Sequence, residues 1–169
     1  MLLPWTTESG FGAVAFDGSV WVDREDVRRF GLSEADIERA AADARAKVER
    51  RLARLRGGRS TYALTGRTAI VVDDGIAAGS TMRAAVNVLR RVDPGRIVIA
   101  VPTGSARSVE RLAAIADEVC CANLRRGPSF AVADAYERWY DLSEDEVAAI
   151  LAGAVVLKKS GLDLTDNVR

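Results

Sequence analysis

Asp73 and Asp74 stand side by side at the end of the apolar run Thr68 to Val72. A short loop of small residues follows, and then the hydroxyls of Ser80 and Thr81. Each part has a chemical use. In a glycine-containing loop that runs into a helix, the backbone N–H groups of the loop and of the helix N-terminus make an anion pocket, and the Ser80 and Thr81 hydroxyls add donors to it. The neighbouring carboxylates accept hydrogen bonds from a vicinal diol, directly or through a hydrated Mg²⁺. Phosphate at one end and a diol at the other describe a ribose 5-phosphate. Gly75 and Gly79 enclose three residues without a following Lys, so the loop is not a P-loop, and the chain has no G-x-G-x-x-G for a dinucleotide.

The elements that must position these groups read as one α/β domain over residues 1–152, with a tail at 153–169. Segments 11–16 and 19–22 flank Asp17-Gly18, which predicts a hairpin (11–22) on a two-residue turn. Ser33 with Asp36 marks a helix start of the capping-box kind. Ile37, Ala40, Ala41, Ala44, Val48, Leu52 and Leu55 keep helical spacing from there, giving a helix over 33–56 stopped at Gly57-Gly58. Its basic end, Arg50, Arg51, Arg54, Arg56 and Arg59, reads as a solvated face rather than a phosphate site.

A regular alternation follows as a parallel core over 67–122. It comprises strand 68–72, a helix near 80–92, strand 96–101, a helix from Ser105 to about Ala116 and strand 118–122. Continuous apolar strands between helices predict a mostly parallel sheet buried on both faces, a three-layer α/β/α arrangement. Residues 123–152 then carry Gly127-Pro128, the aromatic cluster of Tyr136, Trp139 and Tyr140, and a last helix capped at Ser143 that runs to about Ala152. From Lys158 the tail is expected to be polar and loosely held.

The segment 71–81, two acids and a short loop ending Gly-Ser-Thr, resembles the signature of the type I phosphoribosyltransferases. The resemblance extends in element order over residues 5 to 152. It is strongest in 11–18, 67–89 and 130–147, where the chain is similar to a prokaryotic subgroup with a long helical insertion. It implies that Asp73 and Asp74 hold the ribose hydroxyls of phosphoribosyl diphosphate (PRPP) and meet Mg²⁺, and that Ala77 through Thr81 hold the 5-phosphate. Ala78 departs from the family's usual Thr, which removes one hydroxyl from the phosphate cradle. By the same analogy Phe130, Tyr136 and Trp139 belong to a hood over an acceptor ring, or close the core beneath it. The resemblance also implies a strand beside 68–72, with a pyrophosphate loop, that the residues before Trp5 are too few to supply. The domain is therefore expected to be N-terminally incomplete: a truncated product, a protein that self-associates or is completed by another chain, or a rearranged fold.

Three functions fit these residues. The first is transfer of phosphoribosyl from Mg-PRPP to a nitrogenous acceptor. The second is non-catalytic sensing of PRPP or a nucleoside monophosphate. The third is a receiver-like domain that binds Mg²⁺ at Asp73 and Asp74. Asp117 precedes its strand and is misplaced as a phosphoacceptor for that third reading.

Composition narrows the remaining classes. The 169 residues are 49% hydrophobic, enough for a sizeable core, and 24 basic residues balance 24 acidic ones. No global field recruits nucleic acid or an anionic membrane. No apolar run reaches spanning length, and Pro4, Trp5 and Glu8 break any signal-like stretch, so a cytoplasmic protein is expected. The chain contains no His, which excludes histidine catalysis. Cys120 and Cys121, adjacent in an apolar strand, read as buried core thiols.

Overall fold

The computed structural model describes residues 1–4, 10–56, 63–127 and 130–159. Trp5, Glu8, the helix stop at Gly57-Gly58, Arg59, Pro128 and the tail beyond 159 lie outside them. The elements are β1 (Gly12–Val14), β2 (Val20–Val22), α1 (Arg24–Phe30), α2 (Glu34–Arg56), β3 (Thr68–Val72), α3 (Ser80–Arg90), β4 (Arg96–Ser105), α4 (Ala106–Ala113), β5 (Glu118–Arg125) and α5 (Glu144–Lys159). A single 3-10 turn (Val132–Ala135) precedes α5.

The class is α/β. β3, β4 and β5 form a parallel sheet in that order, with Ala69 opposite Ile97 and Ile99 opposite Val119. Both crossover helices cover the same face. Met82 and Val86 of α3 and Leu112 of α4 pack with Ile76, Ile97, Ile99 and Val101 into the main core, joined by Val71, Val109, Val119 and Cys121. Outside α3 lies a second layer. Ala15 of the hairpin meets Ala84 and Val88, while Leu3, Phe11, Val27 and Ile37 bind the hairpin to α1 and α2.

The opposite sheet face departs from the expectation of burial on both sides. Ile70 is 64% exposed and Val72 72%, and Pro102, Cys120, Ala122 and Leu124 lie open as well. Period-2 alternation explains which residues these are, because odd and even positions of β3 face opposite ways. The same alternation corrects the reading of the cysteines as core thiols. Cys121 packs against the core, whereas Cys120 is exposed, and both are free thiols.

Several boundaries move for identifiable reasons. The hairpin turn has three residues rather than two. Ala15 N–H bonds Ser19 O at 2.9 Å, and Gly18 takes the left-handed conformation at φ 80°, while Asp17 accepts the Ser19 amide at 2.9 Å. Helix α1 is unforeseen. Asp23 caps it by accepting the Glu25 and Asp26 amides, and Gly31 ends it at φ 64°. Strand β4 continues past Pro102, where the ladder skips one residue and resumes at Thr103 with Asn123, so Ser105 belongs to the strand and α4 starts one residue later. Helix α5 runs through Gly153 to Lys159, because an internal glycine weakens a helix by only about 1 kcal/mol.

The expected caps are present. Ser33 and Asp36 exchange side-chain to backbone bonds at 3.0 and 3.2 Å, and Ser143 and Glu146 do so at 2.8 and 3.3 Å. The basic end of α2 is used structurally. Arg51 reaches Glu144 at 3.4 Å, Arg54 pairs with Asp145, and the Arg56 guanidinium lies 5.0 Å over the Phe16 ring. With Arg50, 3.8 Å from Glu144, these ion pairs tie α2 to the start of α5.

Candidate functional site

The acid loop leaves β3 and is sewn into the centre of the sheet at one residue. Ile76 donates to Thr103 O at 3.0 Å and accepts from Ser105 N–H at 2.8 Å, so it extends the β4 ladder beyond the end of β3. Its side chain is 1% exposed, which pins the loop to the main core. Residues on either side of this anchor are left to face solvent. Asp73 and Asp74 lie before it, and Ala77 to Thr81 lie after it.

Gly79 then turns the chain into α3 with φ 83° and ψ 5°, a left-handed conformation that side chains resist. The first bond into the helix is Arg83 N–H to Gly79 O at 2.9 Å. The amides of Ser80, Thr81 and Met82 therefore precede the helical ladder, the ordinary state of a helix N-terminus. The cap itself is a glycine, so no side chain caps the helix.

These groups share one cleft of about 290 Å³. It is lined by the whole run from Asp73 to Met82, by Val132, and on the far side by Met1, Leu2, Gly10 and Gly12. Asp73 is half-buried and Asp74 exposed. Burial, followed by the adjacent Asp74 carboxylate, pushes the Asp73 carboxyl above the usual range. A cation placed at the pair relieves both penalties, and a hydroxyl donor relieves the first. A larger hollow of about 550 Å³ lies between residues 1–4 and α2, and contains neither the acid pair nor the α3 start.

The aromatic segment reaches the same loop. Tyr136 donates its hydroxyl to the Asp74 carbonyl at 2.6 Å, and the Trp139 ring lies 5.1 Å from the Tyr136 ring, tilted by 57°. Val132 packs on Gly75. A Cβ built at Gly75 would lie 2.7 and 2.9 Å from the two Val132 methyls. Tyr136 and Trp139 thus come together beside the acids, while Phe130 is half-buried at the head of the segment.

Arg111 belongs to this neighbourhood and carried no signal in the sequence. From α4 it donates to the Ala78 carbonyl at 3.2 Å and to Ser108 Oγ at 3.3 Å, and it lies 3.8 Å from Asp23. It braces the loop before α3 from behind. Only the crossover that brings α4 under the loop joins residues 33 positions apart.

The acid pair after one parallel strand and the glycine-started helix beyond it thus line one cleft of an α/β fold. Residues 27–125 match the model of the phosphoribosyl transferase domain. The chain belongs to this family. Over 149 residues it is 38% identical to "Putative phosphoribosyl transferase Rv0571c" of Mycobacterium tuberculosis strain H37Rv, and equally to its counterpart MT0597 in strain CDC 1551. That match covers 88% of this chain and spans about a third (33%) of the length of either relative. A crystal structure of TT1426 from Thermus thermophilus is 34% identical with a TM-score of 0.65, covering 90% of this chain and 71% of that one. Family membership leaves the receiver-like reading without support.

Proposed function

We propose that the chain binds Mg-PRPP at this cleft and transfers its phosphoribosyl group to a nitrogenous acceptor. The observation that carries the proposal is the single cleft that holds the acid pair and the open α3 N-terminus together. In this reading Ala77, Ala78, Gly79, Ser80 and Thr81 bind the 5-phosphate, and Asp73 and Asp74 take the ribose 2- and 3-hydroxyls. During transfer the bond from the anomeric carbon to pyrophosphate breaks and a bond to the acceptor nitrogen forms, with positive charge developing on the sugar. Two carboxylates close to that charge stabilise it and orient the ring.

The donor set also suits Mg²⁺. Among the described residues no third acid joins the pair, and Mg²⁺ commonly takes one or two carboxylates, with water and substrate oxygens completing its shell. When bound it supplies charge neutralisation for the departing pyrophosphate. Tyr136 and Trp139, beside Asp74, are where an acceptor ring would stack.

The open sheet face bears on partners. β3 is an edge strand among the described residues, and its outward side chains Ile70 and Val72 are the most exposed large apolar groups of the sheet. Apolar edges of this kind invite pairing. We therefore propose that a further strand and helix cover this face in the working protein. Among the described residues no helix is long and apolar enough to cross a membrane.

Calorimetric titration of Mg-PRPP into the protein, with Asp73→Asn/Asp74→Asn as control, tests the central reading. Binding that disappears in the control is the expected result. A folded protein that ignores Mg-PRPP would sink it, and binding without pyrophosphate release on addition of base acceptors would favour a PRPP sensor over a transferase.

A further inference from the structure

We propose that Tyr136 is a positioning residue for the acid pair, acting through the Asp74 backbone carbonyl. The role rests on the ribose-binding reading above and deepens it. The loop between the end of β3 at Val72 and the anchor at Ile76 contains three residues, and the last of them is Gly75. A glycine lets the peptide that precedes it rotate between orientations at little cost. The Asp74–Gly75 peptide is the unit that links the second carboxylate to the anchored part of the loop.

The Tyr136 hydroxyl selects one orientation of that peptide by taking the Asp74 carbonyl at 2.6 Å. Because the peptide is planar and trans, the Gly75 N–H is then aimed the opposite way. The approach depends on Gly75 itself, since a Cβ there would collide with Val132 on the same segment. A glycine that makes the loop free thus also admits the segment that holds it.

Exposure argues against a purely core-closing tyrosine. Tyr136 is 37% and Trp139 41% accessible, so burial does not force this hydrogen bond. The ring is held instead by Trp139 at 5.1 Å. The bond spans 62 residues of chain and ends on a main-chain atom of the acid loop. Its most direct effect is on the placement of the Asp74 carboxylate, while the phosphate-side loop has its own brace at Arg111.

Tyr136→Phe keeps the ring and removes only the hydroxyl, and the position is exposed enough for the variant to fold. Two measurements on the full chain test it. Amide hydrogen exchange without ligand is expected to speed up at residues 74–76 and stay unchanged in β4 and α3. Titration with Mg²⁺ and ribose 5-phosphate is expected to weaken by roughly 2- to 12-fold, the worth of one hydrogen bond, while inorganic phosphate binds as before. Unchanged exchange at 74–76, or equal loss of both ligands, overturns the proposal. If the unaltered protein binds neither ligand, the ribose-binding reading fails, and the exchange result alone decides whether Tyr136 holds the loop.

Discussion

Gly75→Ala isolates the contact between the acid loop and the segment that follows β5. An added Cβ would lie 2.7 and 2.9 Å from the Val132 methyls and 3.0 Å from Thr103 Cγ2. Carbon atoms prefer about 3.5–4.0 Å, so roughly 1 Å of movement is required. Thr103 cannot supply it. It is 2% exposed, its hydroxyl is bonded to Asn123 O, and its carbonyl takes the Ile76 amide. Val132 is half-buried in a single 3-10 turn, so the displacement falls on that turn. Overpacking of this size costs about 1–3 kcal/mol. In a chain of this length that lowers Tm by roughly 2–12 °C in a melting experiment.

The assignment to Val132 is then checked by a double-mutant cycle. Val132→Ala removes the two shorter contacts and leaves Thr103 Cγ2 at 3.0 Å, so Gly75→Ala should cost clearly less in the Val132→Ala background than in the unaltered protein. Additive losses in the double variant would refute the reasoning, because the strain would then lie in the loop backbone or at Thr103 and not in the Val132 contact.

Two further outcomes follow from the site. Burial and Asp74 raise the Asp73 carboxyl, so the folded state holds that proton more tightly than the unfolded one, and ionised Asp73 destabilises the fold above its folded pKa. Asp73→Asn should therefore be more stable than the unaltered protein at neutral pH, with the gap closing as pH falls through the folded pKa toward the ordinary 3.8. Melting curves across pH measure this, and a gap that widens on acidification contradicts it; Asp17, Asp36, Asp117 and Glu146, held low by their partners, cancel in the comparison. Ala78→Thr restores a hydroxyl at an exposed position whose carbonyl Arg111 already fixes. Ribose 5-phosphate affinity should rise by roughly 2- to 12-fold in calorimetry, and no gain would mean that the Ala78 side chain points away from the phosphate.

The parts of this molecule legible in its sequence are those set by neighbours along the chain. Asp73 and Asp74 at a strand end, Ser33 with Asp36, Ser143 with Glu146, and the apolar periods of 68–72 and 80–90 are local patterns, and the structure has them where the spacing puts them. What stayed hidden depends on contacts across the fold. Tyr136 reaches Asp74 over 62 residues and Arg111 reaches Ala78 over 33, and no spacing rule connects them. Helix α1 is an instructive exception. Asp23, the acids at 25 and 26 and Gly31 are local signals, but only seven residues separate its caps, too short a span for apolar periodicity to register.

The exposed sheet face shows how far an apolar pattern can be taken. Unbroken runs such as Thr68–Val72 argue for cover on both sides, and α3 and α4 provide it on one. The pattern therefore describes the surroundings in which β3 works, which need not all come from the residues that form it. The acid pair hangs from the C-terminal end of that edge strand. A strand added beside β3 would end near Asp73 and place its following loop next to the cleft. Completion of the sheet and completion of the site are on this argument one event, so a partner that buries Ile70 and Val72 should also tighten binding of Mg-PRPP.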